Sequence, residues 1–230
     1  MAFALVAHVK ATPGSGGGTT GAIDTTGADI IVVAVSWYAG GAEAAVTDSK
    51  GNTWTGLTKK TEAGNVDAVR LFYCIAPTVG SGHTFTNLSA YPTICVAAFS
   101  GALAGGYEAE SGATGVAVTA LAPGNLTPSE AGELIVTALG RPNAGTNTPS
   151  VDGGFTISDN ANWTAGVNEA GALAYLFQVG AAAVNPSWSW SGSSNAAAVM
   201  AVFKGAAAAA RAKVGAGLAS GSMLRGGLVR

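Results

Sequence analysis

The sequence is poor in charged residues and in histidine. Lys, Arg, Asp and Glu make up 10% of the 230 residues, against about 25% in an average soluble domain. Only His8 and His83 occur, and neither has a second His or a Cys at metal-ligand spacing. No glycine-rich phosphate loop or serine-nucleophile motif is present. We therefore expect a protein that is not an enzyme and has no catalytic residue, no cofactor and no metal site.

Long apolar segments are also missing. No run of eighteen apolar residues occurs, which excludes the usual membrane-spanning helix. The first eight residues, Met1 to His8, lack the basic start and the uninterrupted apolar stretch of a secretory signal. The sequence thus predicts a protein that is not exported and has no membrane partner.

Charge is divided unevenly along the chain. Residues 1–203 contain all 13 acidic residues and six basic ones, whereas residues 204–230 contain five basic residues and no acid. This basic segment is too sparse for a nucleic-acid-binding arm, which needs denser Lys and Arg. We expect it to bind protein instead, either its own acidic body, a copy of that body or another subunit.

What the chain has in abundance is glycine, at 34 residues, between short apolar runs. Residues 29–37 form a dense β-branched run, which is typical of a strand buried on both faces. Asp48 to Asn52 form a turn sequence that joins two further strands. Cys74 and Cys95 lie in apolar runs, which indicates buried free thiols, with a disulfide as the alternative. The pattern predicts an all-β protein.

The strand pattern occurs twice. Phe99 and Phe203, like Gly101 and Gly205, are 104 residues apart, and other apolar runs repeat at nearly the same offset. We predict an antiparallel β-sandwich of jelly-roll or immunoglobulin-like type with an internal pseudo-duplication. Its body spans residues 1–205, with pseudo-repeats at about 22–104 and 126–205. One sandwich and two tandem sandwiches both fit.

Residues 206–230 form a different segment, rich in Gly and Ala, that we interpret as an extended arm. Its apolar and basic side chains suit a peptide that orders against a partner, and packing on its own body is the alternative. The predicted partner-binding residues are Arg211, Lys213, Leu218, Met223, Leu224, Arg225, Leu228 and Arg230.

Three other groups of residues have both a binding and a structural interpretation. Trp188 and Trp190 alternate on one strand face, so they could stack on a glycan if exposed or belong to the core if buried. Asp48 and Asn52 could ligate calcium, but a turn explains them without a metal. Glu108 and Glu110 have the two-residue spacing of one strand face, where solvated acids are commoner than a glycosidase pair.

The order of several short motifs resembles a β-sandwich module of phage structural proteins and bacterial surface proteins. The motifs are residues 48–54, 71–73, 96–101, 133–136 and 201–204. The resemblance implies a structural or adhesive role without catalytic residues.

Because the chain lacks the export signal of surface proteins, we expect a virion protein made in the host cytoplasm. The first hypothesis is a capsid decoration or cement protein that binds neighbouring virion subunits through its arm, as a homo-oligomer within the assembly. The alternatives are a tail or fibre component and a carbohydrate-binding adhesin. Capsid versus tail location, partner identity and copy number stay open.

Overall fold

The structure of the protein is a computed structural model, which describes residues 2–64, 66–142, 148–162 and 169–206. The regular structure in these ranges consists of β-strands joined by turns and loops. Within these ranges no helix occurs, and all strand pairs are antiparallel. The prediction of an all-β antiparallel sandwich is confirmed.

The N-terminal half contains nine strands in two sheets. They are β1 (Ala4–Ala11), β2 (Gly18–Thr19), β3 (Ile30–Tyr38), β4 (Val46–Asp48), β5 (Thr55–Gly56), β6 (Lys60–Thr61), β7 (Asp67–Ile75), β8 (Phe85–Asn87) and β9 (Thr93–Ser100). The larger sheet has the order β1-β9-β3-β7-β5, and β6 also pairs with β7. The smaller sheet has the order β2-β8-β4.

The C-terminal half contains six strands, two of which are long. They are β10 (Ala102–Leu121), β11 (Leu134–Pro142), β12 (Ser150–Val151), β13 (Thr156–Asn162), β14 (Glu169–Phe177) and β15 (Trp188–Gly205). The sheet has the order β10-β15-β11-β14-β13, and β12 pairs with the start of β15.

The two large sheets have the same strand order and nearly the same register. Ile30 of β3 pairs with Phe99 of β9, and Leu134 of β11 pairs with Phe203 of β15, so both partners are offset by 104 residues. Strand β1 corresponds to the first part of β10, and both have a register shift at the same place, after Leu5 and after Tyr107. The correspondence is therefore wider than pseudo-repeats at about 22–104 and 126–205, because it includes β1 and β10.

The small sheet of the N-terminal half also has a counterpart. Thr47 pairs with Thr86 between β4 and β8, and Ser150 pairs with Ser189 between β12 and β15. The end of β10 pairs with the start of β15, which is also the part that pairs with β12. This pairing corresponds to that of β2 with β8 in the N-terminal half. In the C-terminal half, β10 and β15 each run without interruption through both layers. Each half therefore builds a two-layer sandwich of its own.

The two sandwiches pack against each other through their large sheets, which gives four layers in all. Three apolar clusters fill the three spaces between successive layers. Strand β3 shows how one strand serves two of them. Ile30, Val32 and Ala34 point into the cluster shared by the two large sheets. Ile31 and Val33 point into the cluster between the large sheet and β4 and β8. A third cluster, which includes Ile135 on β11, lies inside the C-terminal sandwich.

This arrangement explains the dense apolar run at residues 29–37. A strand that is buried on both faces needs apolar side chains at successive positions, and Ile30 to Trp37 are all buried. Burial on both faces was predicted from the run and is confirmed.

The described part of the chain contains no helix that is long and apolar enough to cross a membrane.

Candidate functional site

Trp188 and Trp190 are core residues. Their exposed fractions are 0% and 7%. The Trp188 indole donates a hydrogen bond to Thr137 Oγ1 at 3.0 Å, and the Arg141 guanidinium lies 4.9 Å from the centre of the Trp190 ring. Neither indole offers a free face, so a glycan cannot stack on them without opening the core. Of the two sequence interpretations, the buried one describes these residues.

A buried row of three polar side chains lies in the N-terminal sandwich. His83 Nδ1 is 2.9 Å from Thr25 Oγ1, and His83 Nε2 is 3.2 Å from Asp48 Oδ1. A hydroxyl, an imidazole and a carboxylate in a row have the composition of a nucleophile relay. The Thr25 and His83 residues and the Asp48 side chain are fully buried, however, so a substrate cannot reach the hydroxyl.

The row has a structural task. Thr25 Oγ1 accepts a hydrogen bond from the backbone N–H of Gly80 at 3.1 Å, and the His83 ring stacks on Phe85 with centroids 4.3 Å apart. Burial lowers the pKa of His83 below its ordinary value, although Asp48 acts to raise it. A neutral imidazole is thus favoured. The row connects the loop at Gly80, through Thr25 and His83, to Asp48 in the small sheet.

The oxygens of Asp48 and Asn52 are occupied by donors from the protein. Asp48 Oδ1 accepts from the backbone N–H of Lys50 at 2.7 Å, and Oδ2 accepts from the Trp54 indole at 2.7 Å. Asn52 Oδ1 accepts from the backbone N–H of Thr78 at 2.6 Å. Burial acts to raise the pKa of Asp48, but the hydrogen bonds outweigh it and hold that pKa low. A cation here would face N–H groups, so these contacts support the turn interpretation.

Glu108 and Glu110 bind different segments. Glu110 accepts from the backbone N–H and the hydroxyl of Thr58 at 2.9 and 2.6 Å. Glu108 accepts from the backbone N–H and the hydroxyl of Ser129 at 2.9 and 3.0 Å. Glu108 instead lies near Glu133, whose pKa is raised to about 7 by burial and then by Glu108. The structure does not bring Glu108 and Glu110 together as a glycosidase pair.

A second pair of acids lies deep in the interface between the sandwiches. Asp67 is the first residue of β7 and Glu169 the first residue of β14, and both are 0% exposed. Ser36 donates to Asp67 Oδ1 at 2.5 Å and also contacts the carbonyl of Ala170 at 3.1 Å. Burial, followed by Glu169, holds the pKa of Asp67 well above its ordinary value. Burial also raises the pKa of Glu169 to about 7.

Two glycines make room for this pair. A Cβ atom at Gly140 would lie 2.4 Å from Asp67 Oδ2. A Cβ atom at Gly171 would lie 2.3 Å from Thr93 Oγ1 and 3.2 Å from the Cβ of Ser36. The polar groups of one sheet therefore sit against bare backbone of the other sheet.

Two more polar contacts join the halves at the edge of the interface. His8 Nδ1 lies 3.1 Å from Asp159 Oδ2, and Lys10 donates to the carbonyl of Asn160 at 2.6 Å. Burial raises the pKa of Asp159, which His8 and Lys10 act to lower. These contacts link β1 to β13 and add specificity to a mostly apolar interface.

The two cysteines are buried free thiols, as predicted. Burial raises the pKa of Cys74 and, more strongly, that of Cys95. Both sulfurs therefore stay protonated, and the disulfide alternative is wrong. Among the described residues, no three His, Cys, Asp or Glu side chains are grouped as a metal site.

The described surface has several open hollows, and two of them have features of a binding site. One has a volume of about 400 Å³ and is bordered by Tyr73 and Tyr107, whose rings stack with centroids 5.4 Å apart, and by Thr53 and Thr55. The other has a volume of about 390 Å³ and is mainly apolar. It is lined by Phe3, Phe177 and Val179, among others, and Val179 is 95% exposed.

The apolar hollow lies close to Ala206, the last residue that the structure describes. The backbone N–H of Ala206 donates to the carbonyl of Gly101 at 2.7 Å. A Cβ atom at Gly205 would lie 3.3 Å from the Phe3 ring, which lines this hollow. The predicted arm residues, from Arg211 to Arg230, lie outside the described residues.

The Asp67–Glu169 pair is the feature that the sequence did not reveal. Each residue is the first of an apolar strand, a position at which an acidic side chain is normally expected to be solvent-exposed. One signal was present, because the two acids occupy matching positions of the repeat, 102 residues apart. The repeat alone does not say that the matching strand ends face each other.

Comparison of the whole chain with protein-family models, with curated proteins and with solved structures found no match in any of the three.

Proposed function

We propose that this chain is a non-enzymatic structural protein of a phage virion, and that residues 206–230 bind neighbouring subunits. A capsid decoration or cement protein is the form we favour. The observation that carries the proposal is the position of Ala206, the last described residue. Ala206 is held against the body beside an apolar hollow, and residues 207–230 contain four basic residues and no acid.

The body has the properties of a rigid building block. Its two sandwiches share one apolar cluster, so neither can move far against the other without exposing core residues. The Thr25–His83–Asp48 row and the Asp67–Glu169 pair are buried, where they organise the fold and no substrate reaches them.

The hollow near Ala206 is the part of the body that suits a protein partner. Phe3 and Phe177 stack there with centroids 6.3 Å apart, and Val179 next to them is almost fully exposed. Phe3 is itself a core residue, so Val179 provides most of the exposed apolar surface that a partner could cover at this hollow. Glu130, on the loop before β11, is exposed, and its carboxylate lies 3.8 Å from Lys204 Nζ of the same chain.

The test compares the full chain with a chain that ends at Ala206, both produced in the cell that makes the particle. We expect the shortened chain to fold, because no described strand is removed, and to be absent from purified particles. Incorporation is measured by quantitative mass spectrometry of particles separated on a density gradient. Normal incorporation of the shortened chain would eliminate the arm from the proposal.

A matched pair of full-length variants separates charge from apolar contact. One variant replaces Arg211, Lys213, Arg225 and Arg230 with Ser, and the other replaces Leu218, Met223, Leu224 and Leu228 with Ser. If both charge and apolar contact contribute, each variant lowers incorporation, and only the first reduces its dependence on salt. Crosslinks from the arm identify the neighbour and distinguish a capsid position from a tail or fibre position.

A carbohydrate-binding adhesin is the second candidate, favoured by the hollow at Tyr73 and Tyr107. Stacked tyrosines next to the hydroxyls of Thr53 and Thr55 provide the ring face and the polar groups that sugar recognition uses. A glycan array with the wild type and with Tyr107→Ala tests it. Binding that the substitution abolishes would favour the adhesin, and an empty array would eliminate it.

A further inference from the structure

The acids that the fold brings together between the two sandwiches have too few hydrogen-bond donors. Asp67 Oδ1 accepts from Ser36, but Asp67 Oδ2 and both oxygens of Glu169 are buried without a partner. Two ionised carboxylates are acceptors only, and burying them side by side is costly. Ser36 Oγ lies 2.5 Å from Asp67 Oδ1 and 3.1 Å from the carbonyl oxygen of Ala170, the residue after Glu169, so the two acids are neighbours between the sheets. A proton between them removes the conflict.

The charges around the pair are consistent with one proton. Glu62 is already bound by the backbone N–H groups of Gly64 and Val66 and by the Asn195 amide, so it supplies negative charge and no donor. Arg141 on β11 is the cation, and it is 2% exposed. With one shared proton the pair carries a single negative charge, opposite to that of Arg141, and the charge of Glu62 adds to the cost of releasing the proton.

We propose that Asp67 and Glu169 share one proton in the folded protein, and that this pair is a pH-sensitive clamp between the two sandwiches. Loss of the proton leaves two buried negative charges between sheets that are joined mainly by apolar contacts. The clamp weakens as the pH rises. This inference concerns the body alone and is independent of the proposed function.

The direction of the effect follows from the pKa values. Burial raises the pKa of Glu169 to about 7 in the folded chain, whereas the same group in the unfolded chain has an ordinary value near 4.5. The pKa of Asp67 is likewise raised, by burial and then by Glu169. A raised pKa means that the folded state holds protons the unfolded state has released. The stabilisation is therefore complete below about pH 4.5 and is lost as the pH rises through about 7.

Two other groups titrate in the same range and have to be separated. Glu133 has a pKa raised to about 7 in the Glu108 contact, so it produces a slope of the same sign. His83 has a lowered pKa and is neutral in the fold, so it destabilises the protein as the pH falls through about 6.5. Measurements in a Glu133→Gln background remove the contribution of Glu133. The contribution of His83 is the same in every variant, so it cancels when the variants are compared.

The experiment follows the thermal midpoint of the full chain between about pH 5.5 and about pH 8. We expect the Glu133→Gln protein to lose on the order of 5 °C over this range. Adding Glu169→Gln should remove at least half of that loss, because the amide donates to Asp67 at every pH. The matched control is Asp152→Asn, which neutralises an exposed acid and should leave the slope unchanged.

A second measurement does not depend on whether a Glu169 variant folds. Infrared spectra of the Glu133→Gln protein labelled with ¹³C-glutamate or ¹³C-aspartate, recorded at about pH 6, report protonated carboxyl groups through their carbonyl band without the signal of Glu133, whose own pKa is raised to about 7. The proposal predicts a buried, protonated carboxyl that exchanges slowly with D₂O. Absence of that band, or an unchanged slope in Glu169→Gln, overturns it. A fall in the thermal midpoint on adding a chelator at constant pH also overturns it, because a cation would then neutralise the pair.

Discussion

Single residues in the interface show how closely the two sandwiches approach. Gly140 and Gly171 are bare backbone where the opposite sheet presents Asp67, Ser36 and Thr93. Neither glycine is at a turn, since both lie inside strands of the C-terminal sheet. Their role is to leave space for polar side chains, and any side chain added there must displace a packed group.

We predict that Gly171→Ala destabilises the protein by about 1–3 kcal/mol, the usual cost of an extra carbon in a packed core. The new Cβ would lie 2.3 Å from Thr93 Oγ1. Urea unfolding measures the effect, and Gly180→Ala is the control, because a Cβ there meets nothing within 4 Å. Equal stability of the two variants would mean that the sheets are not held this closely.

At the scale of the element, the strands that flank the central strand of each large sheet make equivalent contacts across the interface. Phe99 on β9 packs against Tyr175 on β14 with centroids 5.2 Å apart and ring planes at 66°. Phe203 on β15 packs against Tyr73 on β7 with the same distance and angle. Each half thus places a phenylalanine from the strand next to its central strand on a tyrosine of the other half.

We predict that Phe99→Ala and Phe203→Ala each lower the free energy of unfolding by about 3–5 kcal/mol, and by similar amounts. Both side chains are 0% exposed in the shared cluster. Denaturant unfolding provides the measurement, with Val179→Ala as an exposed control. A large difference between the two phenylalanine variants would contradict equivalence of the two halves.

At the scale of the whole molecule, two sandwiches behave as one body because the largest apolar cluster lies between them. That cluster draws on β3, β7 and β9 from one half and on β11, β14 and β15 from the other. Separation would expose fully buried side chains, and the ordinary independence of neighbouring domains is therefore lost.

We predict a single cooperative unfolding transition for the full chain. Differential scanning calorimetry should give a van't Hoff enthalpy equal to the calorimetric one. Residues 2–101 produced alone should be insoluble or partly folded, because the large sheet would expose one apolar face. Two separate transitions, or a stable isolated half, would show that each sandwich holds together without the shared cluster.

The sequence alone was sufficient for the strands and for their repetition. The run at residues 29–37 predicted a strand buried on both faces because side-chain polarity is a local property of the chain. The buried thiols of Cys74 and Cys95 followed from the same pattern. The alternation of Trp188 and Trp190 gave their common face, but it could not say whether that face was covered.

Tertiary structure decided which surfaces meet, because strand pairing and sheet packing join residues far apart in the chain. It chose two sandwiches over one, covered the indole rings, and included β1 and β10 in the repeat. It also placed Asp67 and Glu169 side by side although 102 residues separate them. The ionisation of each acid depends on its burial and on the proximity of the other acid. Both conditions arise only when the two large sheets pack against each other.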